Sequence, residues 1–584
     1  MKKWKLYETD ADIEKMSQVL GVSPVLCRIM ANRGVRTKNT AIRYLNPSLK
    51  LMREGSLIAG MDAAVEIARR GISDGERFCI FGDYDVDGVS ATVILHQALT
   101  GLLADCGYYI PHRQLEGYGP NMAAMEQIAN EYDILITVDS GIAAVEELQY
   151  AVDLGLTVII IDHHTPPSDG GVETLPPAHA IINPKQAACD FPFELMCAAG
   201  LSYKFAVHLY ENFGKEYEKA KEALIFAAIA TFCDIVDLVD ENRIIAKNGL
   251  LTLNTEFSTN IGLNALVKAR NLEYNDIDDF ALGFVLGPCI NASGRLESAE
   301  IAVELFLTDN AARADELAAQ LVRLNDERKD MCAKFVEDTV KNLPGESELD
   351  DILVIYHPTL HESIAGIVAG RVREHTGRPT IVLSKAGDVA KGSARSIEGY
   401  DIFCEMQKHK ELFERFGGHP MAAGVTMPIE NIDILRQRLN ADSTLTNEDF
   451  YPVLYGEGWL ALDDCTYELA RDLSALSPFG KGNREPVFFV TGIVTERVEI
   501  IGASGQTLRM TLRSDTGRKI TAIGFKAVDK MVEHLSERYN DEIAEGFASR
   551  SLKKLNIKLD IAFNIRINTY MGNSSVQLII LDFK

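Results

Sequence analysis

A chain of 584 residues with 47% hydrophobic and 24% charged content is too long for one core and is expected to hold about three or four globular domains. Its formal net charge of −25 argues against a protein that coats nucleic acid through a generally basic surface, though not against an enzyme that threads one strand through a local basic groove. The ten cysteines form no CxxC pair, which argues against a disulfide framework or a zinc finger; no apolar run has bilayer length and no signal core follows Met-Lys-Lys-Trp-Lys, so the expected location is the cytoplasm.

Residues 1–45 read as a helical lead-in, with helical apolar spacing over Ala11–Gly21 and Pro24–Gly34. Residues 46–250 alternate strand and helix, as a doubly wound parallel sheet does. There the apolar run Phe78–Phe81 feeds Asp83-Tyr84-Asp85-Val86-Asp87-Gly88, followed by a helical run over Ala91–Leu99. Asp83, Asp85 and Asp87 converge only if the strand pleat relaxes into a turn, which Gly88 permits. Gathered carboxylates repel unless a cation neutralises them, so a divalent metal site is the natural reading, against a solvated turn or a nucleotide-site loop. Two more strands end in metal-capable groups: Ile134–Val138 in Asp139-Ser140-Gly141, and Thr157–Ile161 in Asp162-His163-His164. The C-terminal edge of an open α/β sheet is where ligands bind. Imidazole with carboxylate suits Mn²⁺, and the carboxylates also admit Mg²⁺. Taken alone, His163 would read as a buried, hydrogen-bonded histidine. Pro166–Asn183 is expected to be a surface loop. Asp234, after the apolar helix Ala223–Ala230, is either a fourth acidic element or a helix-end solvator.

Residues 251–345 form a helical connector. Its long amphipathic helix Ala311–Lys341 places Leu317, Leu321 and Leu324 on one face and stops before a boundary at Leu343-Pro344-Gly345-Glu346-Ser347-Glu348. Residues 346–445 are a second, smaller α/β unit. It has strands at Ile352–Tyr356 and Pro379–Leu383, a helix at Ile364–Glu374, sheet continuing at Gly392–Ser396, and a Gly-Gly-His loop after a helix over Asp401–Phe413. Residues 446–584 hold five strand candidates, Val487–Val498, Thr507–Leu512, Lys519–Phe525, Leu559–Asn568 and Val576–Asp582, with an insertion at Asp529–Leu552; this fits an OB-fold barrel. Arg509, Arg513, Arg518, Lys519 and Lys526 with Phe525 would suit a single strand by charge and stacking, or simply be a solvated strand face.

An Asp-rich first motif, a lone Asp after a strand, Asp-His-His and a distal Asp, in that order, resemble the DHH phosphoesterase superfamily, and Phe416–Gly424 resembles the Gly-Gly-His motif of its DHHA1 domain. Ile290-Asn291-Ala292-Ser293-Gly294-Arg295, Lys391-Gly392-Ser393-Ala394-Arg395-Ser396, Pro478-Phe479-Gly480-Lys481-Gly482-Asn483, and Pro111-His112-Arg113 with Glu116-Gly117-Tyr118-Gly119 resemble the RecJ-type single-strand-specific 5′→3′ DNA exonucleases. The resemblance implies an α/β fold: a DHH-type parallel-sheet domain, a long helix, a smaller α/β DHHA1 domain and a C-terminal OB barrel. It implies two divalent ions, Mn²⁺ or Mg²⁺, held by Asp83, Asp85, Asp139, His163 and Asp234, with Asp139 bridging. His164 would complete the second ion's shell or contact the scissile phosphate. Asp87 would be a ligand or would fix the loop, and Asp162 would accept a proton from an imidazole. Arg295, Ser393 and Arg395 would read a 5′-terminal phosphate, Gly418 and His419 would contact phosphate, and Arg113 with Tyr118 would guide the strand. The structural alternatives are a helix cap or internal ion pair for Arg295, a purely structural His419, and a structural turn at Arg113–Tyr118. Single-stranded DNA is the implied partner, in DNA repair and recombination. A single-strand-binding protein and a RecQ-type helicase follow by family resemblance, with no membrane and a monomeric chain. Two competitors remain. A small-substrate DHH enzyme acting on short oligonucleotides, pAp or cyclic dinucleotides typically lacks the connector and barrel, and a non-catalytic replication scaffold would have lost ligands.

Overall fold

Short Ile- and Val-rich runs buried on both faces pair in parallel, and the first half of the chain supplies them. The computed structural model describes residues 2–255, 258–345, 348–551, 555–570 and 572–584. In it, β1 (Arg77–Phe81), β2 (Asp105–Tyr109), β3 (Ile134–Val138), β4 (Thr157–Ile161) and β5 (Ala180–Ile182) form a parallel sheet in the order β2-β1-β3-β4-β5. Strand order reverses between β1 and β3, and at such a switch point the following loops diverge and leave a crevice. α1 (Val86–Gly101) leaves β1 and is buried along almost its whole length against α2 (Ala198–Asn212) and α3 (Ala220–Cys233).

The connector includes α4 (Gly287–Leu296) and the long α5 (Ala311–Asn342), whose buried stripe contains Leu317, Leu321, Leu324 and Cys332. The second sheet is built from β6 (Leu353–Tyr356), β7 (Thr380–Ala386), β8 (Val389–Arg395), β9 (Arg415–His419) and β10 (Ala422–Pro428), in the order β9-β10-β8-β7-β6. Only β6 and β7 run parallel, and α6 (Ala365–Thr376) packs on β7 and β8. Both sheets and the connector belong to one compact unit, residues 52–236 and 248–452.

The other unit comprises the residues up to Leu51, 237–247 and 453–584. β11 (Phe488–Ile501), β12 (Thr507–Arg513), β13 (Lys519–Gly524), β14 (Ile557–Tyr570) and β15 (Asn573–Phe583) pair in the ring β11-β12-β13-β15-β14-β11, a closed five-stranded barrel. Helices Val528–Arg538 and Asp541–Ala548 fill the predicted insertion.

Several expectations are corrected. The lead-in is not only helical: Lys3–Leu6 is a strand that pairs in parallel with Val453–Gly456, a partner too distant in sequence for local periodicity to reveal. The lead-in, expected as a separate segment, packs with the barrel, as do residues 237–247, which were expected in the DHH-type domain. Arg243 explains the latter. Its guanidinium is buried over the Tyr44 ring and donates to the carbonyls of Tyr44, Ser477 and Pro478. Pro166–Asn183 is not all loop, since it contains β5, a strand of three residues that flanking prolines hide. Glu346 and Ser347 of the predicted boundary, and Leu552 at the end of the predicted insertion, lie outside the described residues.

Asn483, the last residue of the Pro478–Asn483 motif, is fully buried. Its carbonyl oxygen accepts from the Tyr44 hydroxyl (2.6 Å) and Arg33 Nε (3.0 Å), and its amide donates to the carbonyls of Leu476 (2.9 Å) and Pro478 (2.8 Å). Replacing Asn483 with Ala strands these groups at about 1–3 kcal/mol for each one left unmet. The expected result is an earlier denaturant transition for the barrel unit, with divalent-metal binding by the other unit unchanged; calorimetric metal titration and urea melts measure the two separately.

Candidate metal centre and phosphate pocket

The switch point carries the acidic cluster. Asp85 caps α1, accepting from the amides of Asp87 (2.8 Å) and Gly88 (3.2 Å). Asp87 lies inside the first turn of α1, which begins earlier than the helical run predicted from Ala91. Its carboxylate turns to α2 and accepts from the amides of Ala198 (2.7 Å) and Ala199 (2.8 Å). Two helix N-termini, whose first N–H groups lack intrahelical partners, thus stabilise this negative charge. Gly88 serves close approach rather than turn freedom: a Cβ there would lie 2.6 Å from the Asp83 amide nitrogen.

Asp139 follows β3 in the left-handed region (φ +56°), a costly conformation for a residue with a side chain and one that collects at functional sites. His163 Nε2 lies 3.1 Å from Asp139 Oδ1 and 3.7 Å from both Asp87 Oδ2 and Asp234 Oδ2. Asp234 sits at the C-terminal end of α3. Asp162 organises the loop after β4: Oδ1 accepts from the amides of His163 (2.7 Å) and His164 (3.0 Å) and from His164 Nδ1 (2.8 Å), and Oδ2 accepts from the Ile142 amide (3.0 Å). With Nδ1 so engaged, Nε2 is the His164 nitrogen without a hydrogen bond among the described residues.

Three overlapping sets have donor atoms within 4.8 Å of one another: Asp83, Asp85 and Asp139; Asp139, His163 and His164; and Asp87, His163 and Asp234. Ligands about 2.0–2.6 Å from one ion lie roughly 3–4 Å apart, so these sets have the dimensions of coordination shells. Asp139 and His163 each belong to two sets. Among the described residues Asp83 Oδ1 is buried with no hydrogen-bond partner, which leaves it available to a cation. Burial, then Asp85, raises the Asp83 pKa well above the carboxylate range; burial, then Asp87, Asp85 and Asp83, does the same to Asp139. Burial followed by Asp85 lifts Asp87 to about 6, and burial followed by Asp87 lifts Asp234 to about 7. Burial lowers His163. Asp162 is the exception: burial opposes its charge, but the His164 contact and the backbone donors outweigh it and hold the carboxyl at about 2. The donor set fits divalent cations.

Around the cluster, Tyr118 donates from its hydroxyl to the Asp139 carbonyl (2.8 Å), bracing the strained loop, and Arg113 lies 4.8 Å above the Tyr84 ring. Two supports escaped sequence reasoning. Tyr84 was hidden between the aspartates, and buried Asn183, which donates to the His164 carbonyl (2.9 Å), stood at the end of the supposed loop.

In the second lobe, Ser393 and Arg395 lie on β8. Arg395 Nη1 donates to Ser393 Oγ (2.6 Å), and Ser393 Oγ donates to the Ala423 carbonyl (3.2 Å). Strand register aligns Arg395 with Ala422 and His419, and Ser393 with Gly424 and Gly417, so Ser393, Arg395 and His419 share one face, with glycines between them. Gly-Gly-His is therefore not a loop, as expected, but the end of edge strand β9. Gly418 is required because a Cβ would meet the Ala422 carbonyl oxygen at 2.4 Å. Gly366 of α6 faces the same pocket, where a Cβ would lie 2.6 Å from Arg395 Nη2. Arg295 neither caps its helix nor pairs with an acid. It donates to the Ser363 carbonyl (2.7 Å), and burial, then Arg113 and Arg328, lowers its pKa to about 10. Among the described residues, no carboxylate forms a salt bridge with Arg113, Arg295 or Arg395. On the barrel the reverse holds: Arg509 pairs with Glu499 (2.7 Å), Arg513 (3.5 Å) and Lys519 (2.6 Å) with Glu496, and Arg518 donates to the carbonyls of Asp463 and Cys465. Phe525 is exposed.

A doubly wound sheet with this acidic crest, followed by a second α/β lobe, defines a DHH-type phosphoesterase. The DHH family N-terminal domain matches residues 77–231, the DHHA1 domain residues 350–442 and the RecJ OB domain residues 457–582. The single-stranded-DNA-specific exonuclease RecJ of Bacillus subtilis is 35% identical over 99% of this chain and 70% of its own length; that of Haemophilus influenzae is 29% identical over 95% of each. The crystal structure of Thermus thermophilus RecJ in complex with Mn²⁺ superposes with a TM-score of 0.81 at 25% identity, covering all of this chain and 79% of that one. The chain belongs to the RecJ family.

Because Asp87 and Asp234 have folded-state values above the usual 3.8, their charged forms cost stability as pH rises from about 4 towards 7, and a cation removes that cost. The rise in Tm on adding Mn²⁺ should therefore grow with pH across this range. Asp234→Asn should show a smaller rise with a weaker pH dependence; melts with and without metal at each pH provide the measurement.

Proposed function

We propose that the chain is a metal-dependent exonuclease specific for single-stranded DNA, working 5′→3′ and releasing mononucleotides in DNA repair and recombination. The observation that carries this reading is the pairing, within one compact unit, of a buried acidic crest of metal-ligand dimensions with a second-sheet pocket where Arg395 and Ser393 meet each other and no carboxylate among the described residues. Asp83, Asp85, Asp139, His163, His164 and Asp234 would hold two divalent ions, Mn²⁺ or Mg²⁺, with Asp139 shared. Bound there, the ions supply charge neutralisation at the phosphoryl oxygens and activation of water.

The protein's own groups do the rest. Asp87 fixes α1 against α2 and keeps the aspartate loop in place. Asp162 holds the His164 ring through Nδ1, leaving Nε2 as the atom it would offer to the second ion. Tyr118 fixes the backbone of Asp139, and Arg113, stacked on Tyr84, guides the incoming strand. Ser393 and Arg395 bind the 5′-terminal phosphate beneath the bare backbone of Gly366, His419 contacts the phosphate backbone along the same face, and Gly418 adds a backbone contact at the end of the strand. Phe525 is the stacking platform on the barrel, whose paired arginines add little net positive charge. By family resemblance we extend the proposal to a cytoplasmic monomer that works with a single-strand-binding protein and a RecQ-type helicase.

Asp139→Ala or His163→Ala should abolish turnover in Mn²⁺ while circular dichroism stays unchanged; full activity of either variant would remove the metal assignment. Arg395→Ala should slow digestion of 5′-phosphorylated strands more than that of 5′-hydroxyl strands, by about ten- to a hundredfold for one charge-assisted contact. Kinetics on end-labelled strands read both the preference and the polarity, and mononucleotides released first from the 3′ end would reverse the latter.

A further inference from the structure

One polar chain joins the metal-bearing sheet to the second lobe through Gln114, His361 and Ser363. Gln114 follows Arg113 in the segment after β2, and Glu116 holds that segment, accepting from the Tyr109 hydroxyl (2.6 Å) and the His112 amide (2.6 Å). Gln114 Nε2 lies 2.7 Å from His361 Nε2, and His361 Nδ1 lies 2.7 Å from Ser363 Oγ. An amide NH₂ can only donate, so His361 Nε2 accepts, Nδ1 carries the hydrogen, and that hydrogen is donated to Ser363. The carbonyl of Ser363 then accepts from Arg295. Ser363 is buried at the entry to α6, three residues before Gly366, which lies against Ser393 and Arg395.

We propose that His361 is a positioning residue, a clasp that sets the spacing between the acidic crest and the terminal-phosphate pocket and so fixes the length of the released product. The inference rests on the terminal-phosphate reading of Ser393 and Arg395. An enzyme that reads a terminal phosphate and cuts one nucleotide away needs the two sites at a constant separation, and sites on different sheets keep it only if something ties them. Arg295 ties α4 to Ser363, and the Gln114–His361 pair ties the loop carrying Arg113 to the same residue. The clasp therefore has both ends beside groups proposed to touch the strand, although His361 itself need not touch it.

The test is a double-mutant cycle on the full chain with Mn²⁺, using strands labelled at the 3′ end. Asn can mimic the Nδ1 side of histidine and keep the bond to Ser363, but it does not reach Gln114. His361→Asn and Gln114→Ala should each raise KM for 5′-phosphorylated strands about three- to tenfold, the range for one neutral hydrogen bond, with kcat nearly unchanged. Each should add dinucleotide to the products, leave 5′-hydroxyl strands unaffected, and together do no more than either alone. His361→Ala, which also frees Ser363, should be worse than His361→Asn. Effects that multiply in the double variant, or that fall equally on both substrates, or an unchanged product length, would overturn the clasp while a 5′-phosphate preference in the unaltered protein left the parent reading standing. Absence of that preference in the unaltered protein would remove the parent reading and the clasp together.

Discussion

The structure depends on one electrostatic constraint: carboxylates crowded at the crest of a parallel sheet, too buried to be hydrated and too close to be charged together. Proteins tolerate such a cluster only by protonating it, by spending hydrogen-bond donors on it, or by binding cations. Two of the three are visible, and the cluster has the dimensions for the third. Burial lifts Asp83, Asp87, Asp139 and Asp234, the N-termini of α1 and α2 absorb Asp85 and Asp87, and Asp83 Oδ1 has no hydrogen-bond partner among the described residues. The packing of α1 against α2 follows from the same constraint, since the Asp87 carboxylate that closes it also borders the ion site. A substitution at Asp87 would therefore disturb fold and chemistry at once.

The opposite sign is found across the same unit. In a chain of net charge −25, Arg113, Arg295 and Arg395 form no salt bridge with a carboxylate among the described residues, while the arginines of the barrel strands are largely neutralised by Glu496 and Glu499. Positive charge without an acidic partner is costly to bury, and it is kept where an anion will supply the partner. The distribution favours a narrow, local grip on a phosphate chain over a broad electrostatic surface, and it reconciles an acidic protein with a nucleic-acid substrate. It also weighs against the small-substrate alternative, whose members typically lack the connector and barrel that this chain has.

Much of this was legible because the strands that matter are buried on both faces. β1, β3 and β4 read as uninterrupted apolar runs, each ending in a polar residue at the crest, so side-chain chemistry and position were marked together. β5 was missed because three residues behind prolines carry no period, and Lys3–Leu6 because its partner, Val453–Gly456, lies some 450 residues along the chain. Gly88 was read as a turn glycine and Gly418 as part of a loop, but both are places where a Cβ would collide, and collisions are a property of the folded state. Gln114, His361 and Asn183 had no signal, because a single polar side chain in a loop looks the same whether it faces water or another lobe.

The motif at Pro478–Asn483 shows how far a motif alone can be read. It resembled the family as strongly as the segments around Arg295 and Arg395, yet Asn483 faces inward, its four hydrogen bonds holding the helical lead-in and the turn before β11 together, and the carbonyls of Ser477 and Pro478 receive the buried Arg243. Arg395 is the contrast, a guanidinium whose nearest partners are a hydroxyl and its neighbour's carbonyl, with bare glycine backbone across from it. Both residues are polar and set among glycines in sequence. What separates an architectural role from a binding role is whether the polar valences are already filled by the protein itself, and only the folded arrangement decides that.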